Sequence, residues 1–236
     1  MFTNFPVIGL VGASGAGKTT LAEMLEAEGF VRIAMAKPLK DALKAMGLTK
    51  QDLYGPQAHR AAPSAFLCGK SPRYAMMTIG TEWGREMIGE DIWVNAVQEQ
   101  IIALIAGRTR TKKPIRGVVV EDVRFPNEWA MIERMQGQLW MVRRPEVERM
   151  PFYLDRWRAH GNALQRIAAY LLASFARAAG WEPLHESEFH WPNAPVDAEF
   201  FNEGSKDELK AQLHALLERT AASAGEHVKE TDHAAA

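Results

Sequence analysis

Near its start the chain reads Gly12-Ala13-Ser14-Gly15-Ala16-Gly17-Lys18-Thr19, which satisfies G-x-x-x-x-G-K-[ST] in full. An apolar run at 7–11 precedes it. A stretch at 18–28 follows, with Leu21, Met24 and Leu25 at helical spacing and Gly29 as its stop. Buried strand, glycine-rich turn and helix in that order leave few folds open. The three glycines let the backbone curl so that its N–H groups face inward at phosphate oxygens. The positive end of the helix dipole falls at the same spot. Lys18 has the reach to span β- and γ-phosphates, and the Thr19 hydroxyl suits Mg²⁺. Two strings that would mark a guanine-nucleotide switch, at 52–55 and 49–52, share Asp52 and run in the wrong order. Gly12, Ala13, Ser14, Gly15, Ala16, Gly17, Lys18, Thr19 and Thr20 are therefore expected to bind ATP, with Mg²⁺ as cofactor.

Further along, strands are expected at 31–35, 117–122, 139–143 and 199–202, and helices at 37–46, 72–88, 92–105, 127–135 and 162–179. Ser205-Lys206-Asp207-Glu208 is a capping-box pattern that opens a helix to about Arg219. The polar stretch at 47–71 reads as irregular, and the tail at 221–236 as disordered. Strands alternating with helices predict three layers, α/β/α, around a mostly parallel central sheet, which together with the glycine-rich loop is a fold of the P-loop NTPase kind.

Composition removes other classes. Among 236 residues, 28 Lys and Arg stand against 29 Asp and Glu, a net charge of −1. So even a balance argues against wrapping a nucleic-acid polymer or lying on acidic lipid. Cys68, the one cysteine, excludes an internal disulfide framework. The beginning of the chain does not read as a leader, and no run reaches the roughly 18 apolar residues a membrane span needs. The expected setting is the cytoplasm.

Val118-Val119-Val120-Glu121-Asp122 is an apolar strand ending in acid, like the Walker-B strand of phosphate-loop proteins. Alternation puts Glu121 and Asp122 on opposite faces, so one of them faces the site, and Asp122 is the favoured metal ligand beside Thr19.

Several segments together resemble one family. They are the phosphate loop, Ala36-Lys37-Pro38-Leu39-Lys40, Ser71-Pro72-Arg73, Gly80-Thr81-Glu82-Trp83-Gly84-Arg85, Asp91-Ile92-Trp93 and Asp122-Val123-Arg124-Phe125-Pro126-Asn127-Glu128. Weaker matches are Arg143-Arg144-Pro145, His185-Glu186-Ser187-Glu188 and Asn202-Glu203-Gly204-Ser205. The chain resembles the phage-type deoxynucleoside monophosphate kinases over about residues 7–217. The resemblance implies transfer of the ATP γ-phosphoryl to a deoxynucleoside 5′-monophosphate, in host cytoplasm if the chain is phage-borne. It is compatible with a homodimer. By the same resemblance Lys37, Lys40, Arg73, Thr81, Trp83, Arg85, Trp93, Asp122, Arg124 and Glu128 are expected at the acceptor. Lys18, Arg124, Arg143 and Arg144 are expected to stabilise the group in flight, the last two from a basic lid. His185 is not needed as a base, since phosphate oxygens are already nucleophiles.

Charge supports that assignment. Two unit charges about 4 Å apart repel by roughly 4 kcal/mol at an effective dielectric near 20, so cations must stand between donor and acceptor. Arg73 and Arg85 lie too far around a regular helix to grip one phosphate; either the helix begins after Arg73 or the two serve different groups. A single domain over 1–220 is expected, with a helical acceptor region near 47–107 and a lid or insert near 143–184. Two other readings remain open: another small-molecule kinase such as a dephospho-coenzyme A kinase, and an ATP-switched assembly module.

Overall fold

A computed structural model of the chain describes residues 5–107, 114–148, 162–164 and 191–233. Most of the expected helix at 162–179, the H-x-S-E segment with His185, and most of the basic loop and lid segments lie outside the described residues.

Five strands form the sheet: β1 Val7–Val11, β2 Phe30–Ala34, β3 Gly117–Glu121, β4 Gln138–Arg143 and β5 Ala198–Phe201. Their order is β2-β3-β1-β4-β5, and the pairs β2–β3, β3–β1 and β4–β5 are parallel. The expected α/β fold with a parallel central sheet is thus present. Every residue of β1 is buried, as are the first four of β3, so both read as unbroken apolar runs.

The chain divides into two compact units, Met1–Gly9 with Gly29–Gln138, and Leu10–Glu28 with Leu139–Ala236. The second holds the phosphate loop, α1 (Lys18–Ala27), β4, β5 and the last helix. Trp140 of β4 and Phe200 of β5 are both fully buried, with ring centroids 5.4 Å apart. The last helix runs Lys206–His233 without stopping at Arg219, so the tail expected to be disordered is largely helical. Its alanines are the strongest helix formers, which composition without periodicity does not announce.

The first unit holds β2, β3 and the helices between them: α2 Lys37–Ala45, α3 Lys50–Tyr54, α4 Gln57–Ala61, α5 Pro72–Thr78, a π-helix Ile79–Ile88, α6 Ile92–Gly107 and, after β3, α7 Pro126–Arg134. The stretch read as irregular contains α3, α4 and a 3₁₀ turn at Ala65–Leu67. Elements of three to five residues show no apolar period; local caps and a small core make them. Leu43, Leu48 and Leu53 bury together, with Leu39, Leu67 and Met76 against them.

Asp52, the residue of the false nucleotide-reading strings, caps α3. Its backbone N–H donates to Thr49 Oγ1 at 3.2 Å, and the Thr49 N–H donates to Asp52 Oδ2 at 2.8 Å. The Thr49 hydroxyl, then the backbone N–H, hold the Asp52 carboxyl below the usual carboxylate range. A depressed carboxyl stabilises above its unfolded value and loses that contribution as pH falls through the folded one. Thr49→Ala is expected to lower the thermal midpoint by about 2–4 °C at neutral pH, read by circular dichroism.

The continuous helix expected at 72–88 is instead α5 followed by the π-helix. Trp93 Nε1 donates to the Gly80 carbonyl at 2.8 Å, and a Cβ on Gly84 would lie 2.5 Å from that same nitrogen. The wider helix admits the indole because position 84 is glycine. Arg73 and Arg85 therefore sit on helices of different pitch, which removes the single regular helix from the alternatives.

Candidate active site

In the second unit, β1 ends in a loop whose glycines all have positive φ: 140° at Gly12, 82° at Gly15 and 105° at Gly17. Lys18, 6% exposed, donates from Nζ to the carbonyls of Gly12 and Ala13, each at 2.9 Å. The loop is closed by an Ala16 N–H to Ala13 carbonyl bond of 3.2 Å. Thr19 is exposed and Thr20 half-buried in the first turn of α1.

Strand ends fix this loop from outside. A Cβ on Gly12 would lie 2.4 Å from the Val142 carbonyl oxygen, and one on Gly17 2.3 Å from Asn202 Nδ2. Asn202 Nδ2 also donates to the Ala16 carbonyl at 2.8 Å, while its own N–H donates to the Arg143 carbonyl at 2.8 Å. Asn202 is a loop-holding residue to which the sequence assigned no role; its signal was the N-x-G-S segment at the end of the last strand.

Arg143 and Arg144 are both ion-paired within their own loop. Arg143 donates Nε and Nη2 to the two oxygens of Glu148 at 3.3 and 2.9 Å, and its Nη1 lies 3.7 Å from Glu199. Arg144 Nη2 reaches Glu146 Oε2 at 2.9 Å. The Arg144 pair is the more exposed and so the weaker tether.

In the first unit, Glu121 is bound to Arg32 of β2 at 2.9 Å, whereas Asp122 is half-exposed with φ 57° and has Arg124 Nη2 at 3.6 Å. The hydroxyl of Thr19 and the carboxylate of Asp122 are hard oxygen donors of the kind Mg²⁺ takes. Among the described residues no cluster of three or more His, Cys, Asp or Glu forms a metal cage.

Glu128 is 3% exposed. Its Oε1 accepts from Arg85 Nη2 at 3.1 Å, and its Oε2 from the N–H groups of Arg124 and Phe125 at 2.6 and 3.2 Å. Burial pushes its carboxyl above the usual range, against the pull of these donors. The Arg85 guanidinium lies over the Phe125 ring, 4.1 Å from its centroid. Lys40 Nζ stands 4.1 Å over the Tyr54 ring. Burial lowers its pKa, the charge of Arg60 lowers it further, and Asp122 and Glu121 oppose both. Arg60 was not foreseen from sequence; its Nε is buried with no hydrogen-bond partner among the described residues. Lys37 is paired with Asp41 one turn on. Arg73 and Thr81 are exposed. Trp83 is 44% exposed and Trp93 only 7%, with centroids 6.1 Å apart, so Trp83 presents a ring and Trp93 belongs to the core.

A parallel sheet whose first strand feeds a G-x-x-x-x-G-K-T loop, with the lysine at the start of the next helix, defines a P-loop protein. The chain is 32% identical over 147 residues, 60% of its own length and 75% of the relative's, to a protein of Acanthamoeba polyphaga mimivirus described as "Putative deoxynucleotide monophosphate kinase". The chain belongs to that family, the deoxynucleotide monophosphate kinases, and is a P-loop small-molecule kinase. No family model matches it. Among solved structures it is similar to a dephospho-CoA kinase from Campylobacter jejuni, with 14% identity, 92% and 98% of the two chains covered, and a TM-score of 0.46. It is also similar to a shikimate kinase from Bacteroides thetaiotaomicron, with 14% identity, 90% and 98% covered, and a TM-score of 0.41. Among the described residues no helix is long and apolar enough to cross a membrane.

Proposed function

We propose that the protein transfers the γ-phosphoryl group of ATP to a deoxynucleoside 5′-monophosphate, releasing the diphosphate and ADP. The observation that carries this reading is the joining of its two family-like motifs: Arg85 of the first is bonded to Glu128 of the second. Residues 12–20 hold the triphosphate, with backbone N–H groups on its oxygens and Lys18 as the point charge. Thr19 and Asp122 would hold Mg²⁺, which would supply positive charge against the phosphates. Lys40, Arg73, Arg85 and Arg124 offset the charge of the acceptor, and Arg85 and Arg124 carry the forked geometry that grips phosphate. Trp83 offers a ring to the base. Arg144, on the looser of the two lid ion pairs, turns from Glu146 to the transferring group. Positioning and charge do the work, and no protein base is required.

ADP formation with Mg²⁺ and ATP is the test, with dGMP, dTMP, dCMP, dAMP, their ribo-counterparts and dephospho-coenzyme A supplied one at a time. Deoxy-monophosphates are expected to stimulate turnover by at least about a hundredfold over ATP alone and to appear as diphosphates. Equal ADP formation with no acceptor would sink the reading.

A further inference from the structure

Glu128 sits at the third position of α7, where a glutamate ordinarily reaches back to the helix start from an exposed surface. Here it is buried, and one oxygen goes not to the cap but to an arginine 43 residues away in sequence. The cap alone does not require a charge: an amide oxygen would also accept from Arg124 and Phe125, though less strongly. What requires the carboxylate is Arg85. Its guanidinium is fixed twice, by Glu128 Oε1 at its edge and by the Phe125 ring at its face. A second tie joins the same two segments, since Asn127 Nδ2 donates to the Glu90 carbonyl at 3.1 Å and to Asp91 Oδ1 at 2.9 Å.

We propose that Glu128 is a positioning residue that acts on the acceptor through Arg85 and through the backbone at 122–125, and does not itself touch substrate. The inference rests on the kinase reading above, in which Arg85 meets the acceptor phosphate. A guanidinium locked before binding loses less freedom when the phosphate arrives, so the benefit falls on acceptor affinity. The buried charge that Glu128 carries is tolerated because three donors satisfy it.

Glu128→Gln separates the two tasks. Its oxygen continues to accept from the Arg124 and Phe125 N–H groups, while its NH₂ meets Arg85 donor to donor. The acceptor KM is expected to rise about tenfold with the KM for ATP within about twofold of wild type. Adding Glu128→Gln to Arg85→Ala is expected to change nothing further. A wild-type acceptor KM, equal rises in both KM values, or additive effects in the double variant would overturn the proposal. Should Glu128→Gln not fold, Phe125→Leu removes the ring beneath Arg85 while keeping the capping N–H. The same acceptor-selective rise is expected of it, and a rise in both KM values would again overturn the claim. Failure of the kinase reading is distinguishable. Quenching of tryptophan fluorescence by dGMP reads affinity without turnover, so a roughly tenfold weaker Kd in an enzyme that turns nothing over keeps Glu128 as a positioning residue and removes the reaction. An unchanged Kd would overturn the proposal on its own.

Discussion

Lys18→Ala is expected to lower phosphoryl transfer by roughly a hundredfold to a thousandfold, while circular dichroism reports the wild-type fold. The lysine is almost wholly buried, with its ammonium 2.9 Å from two carbonyls of the loop it closes. Each such bond contributes about 1 kcal/mol to stability, a modest loss for a domain of this size. Its contribution to the reaction is larger, because a positive charge placed beforehand in a water-poor loop costs no reorganisation when negative charge moves between phosphates. Lys18→Arg separates the two contributions. If the residue only closed the loop, arginine would restore much of the activity. A planar fork does not replace a compact ammonium at a point-charge site, so Lys18→Arg is expected to stay within about tenfold of the alanine variant. Activity of Lys18→Ala within about tenfold of wild type would remove the loop as the donor site.

The second large effect is expected at Gly12. An alanine there would hold a φ of 140° that L-residues rarely adopt and would set its Cβ 2.4 Å from the Val142 carbonyl oxygen. That oxygen belongs to strand backbone and cannot swing aside. Strain and overpacking together put the cost at about 2–4 kcal/mol, or about 4–16 °C in thermal midpoint for a chain of this length. The other two loop glycines grade the effect. Gly17→Ala meets the Asn202 amide, a side chain that can move, whereas Gly15→Ala meets nothing closer than a Val147 methyl at 3.5 Å. Thermal midpoints are therefore expected to fall in the order Gly12, then Gly17, then Gly15, largest loss first. The reverse order would mean that neither φ nor the approach of β4 and β5 decides what the loop tolerates.

Much of this was legible in the sequence for a physical reason. An apolar run long enough to be buried on both faces, then glycines, then a helical period has few solutions, so β1, the loop and α1 stand where residues 7–28 place them. The strands fall within a residue or two of their expected bounds, and in β1, β3 and β4 burial on both faces leaves the apolar run uninterrupted. The segment at 47–71 was opaque because α3 and α4 owe their existence to a Thr49–Asp52 cap and a shared leucine cluster, neither of which shows as periodicity. The π-helix was equally hidden: its cause is an indole contributed from α6. Motif matching found Arg85 and Glu128 but not their bond to each other, since pairing across 43 residues is a property of the fold. Asn202 stood in a weak motif match that named no role for it, and Arg60 was missed because a lone arginine carries no pattern.

The packing of Trp93 against Gly84 bears on how such sequences can drift. Because the indole nitrogen fills the place of a methyl group, neither position can change first: a larger residue at 84 expels the ring, and a smaller one at 93 leaves a hole beside the helix. Glycine at 84 and tryptophan at 93 are thus coupled sterically, while position 80 contributes only its backbone carbonyl to the same indole nitrogen.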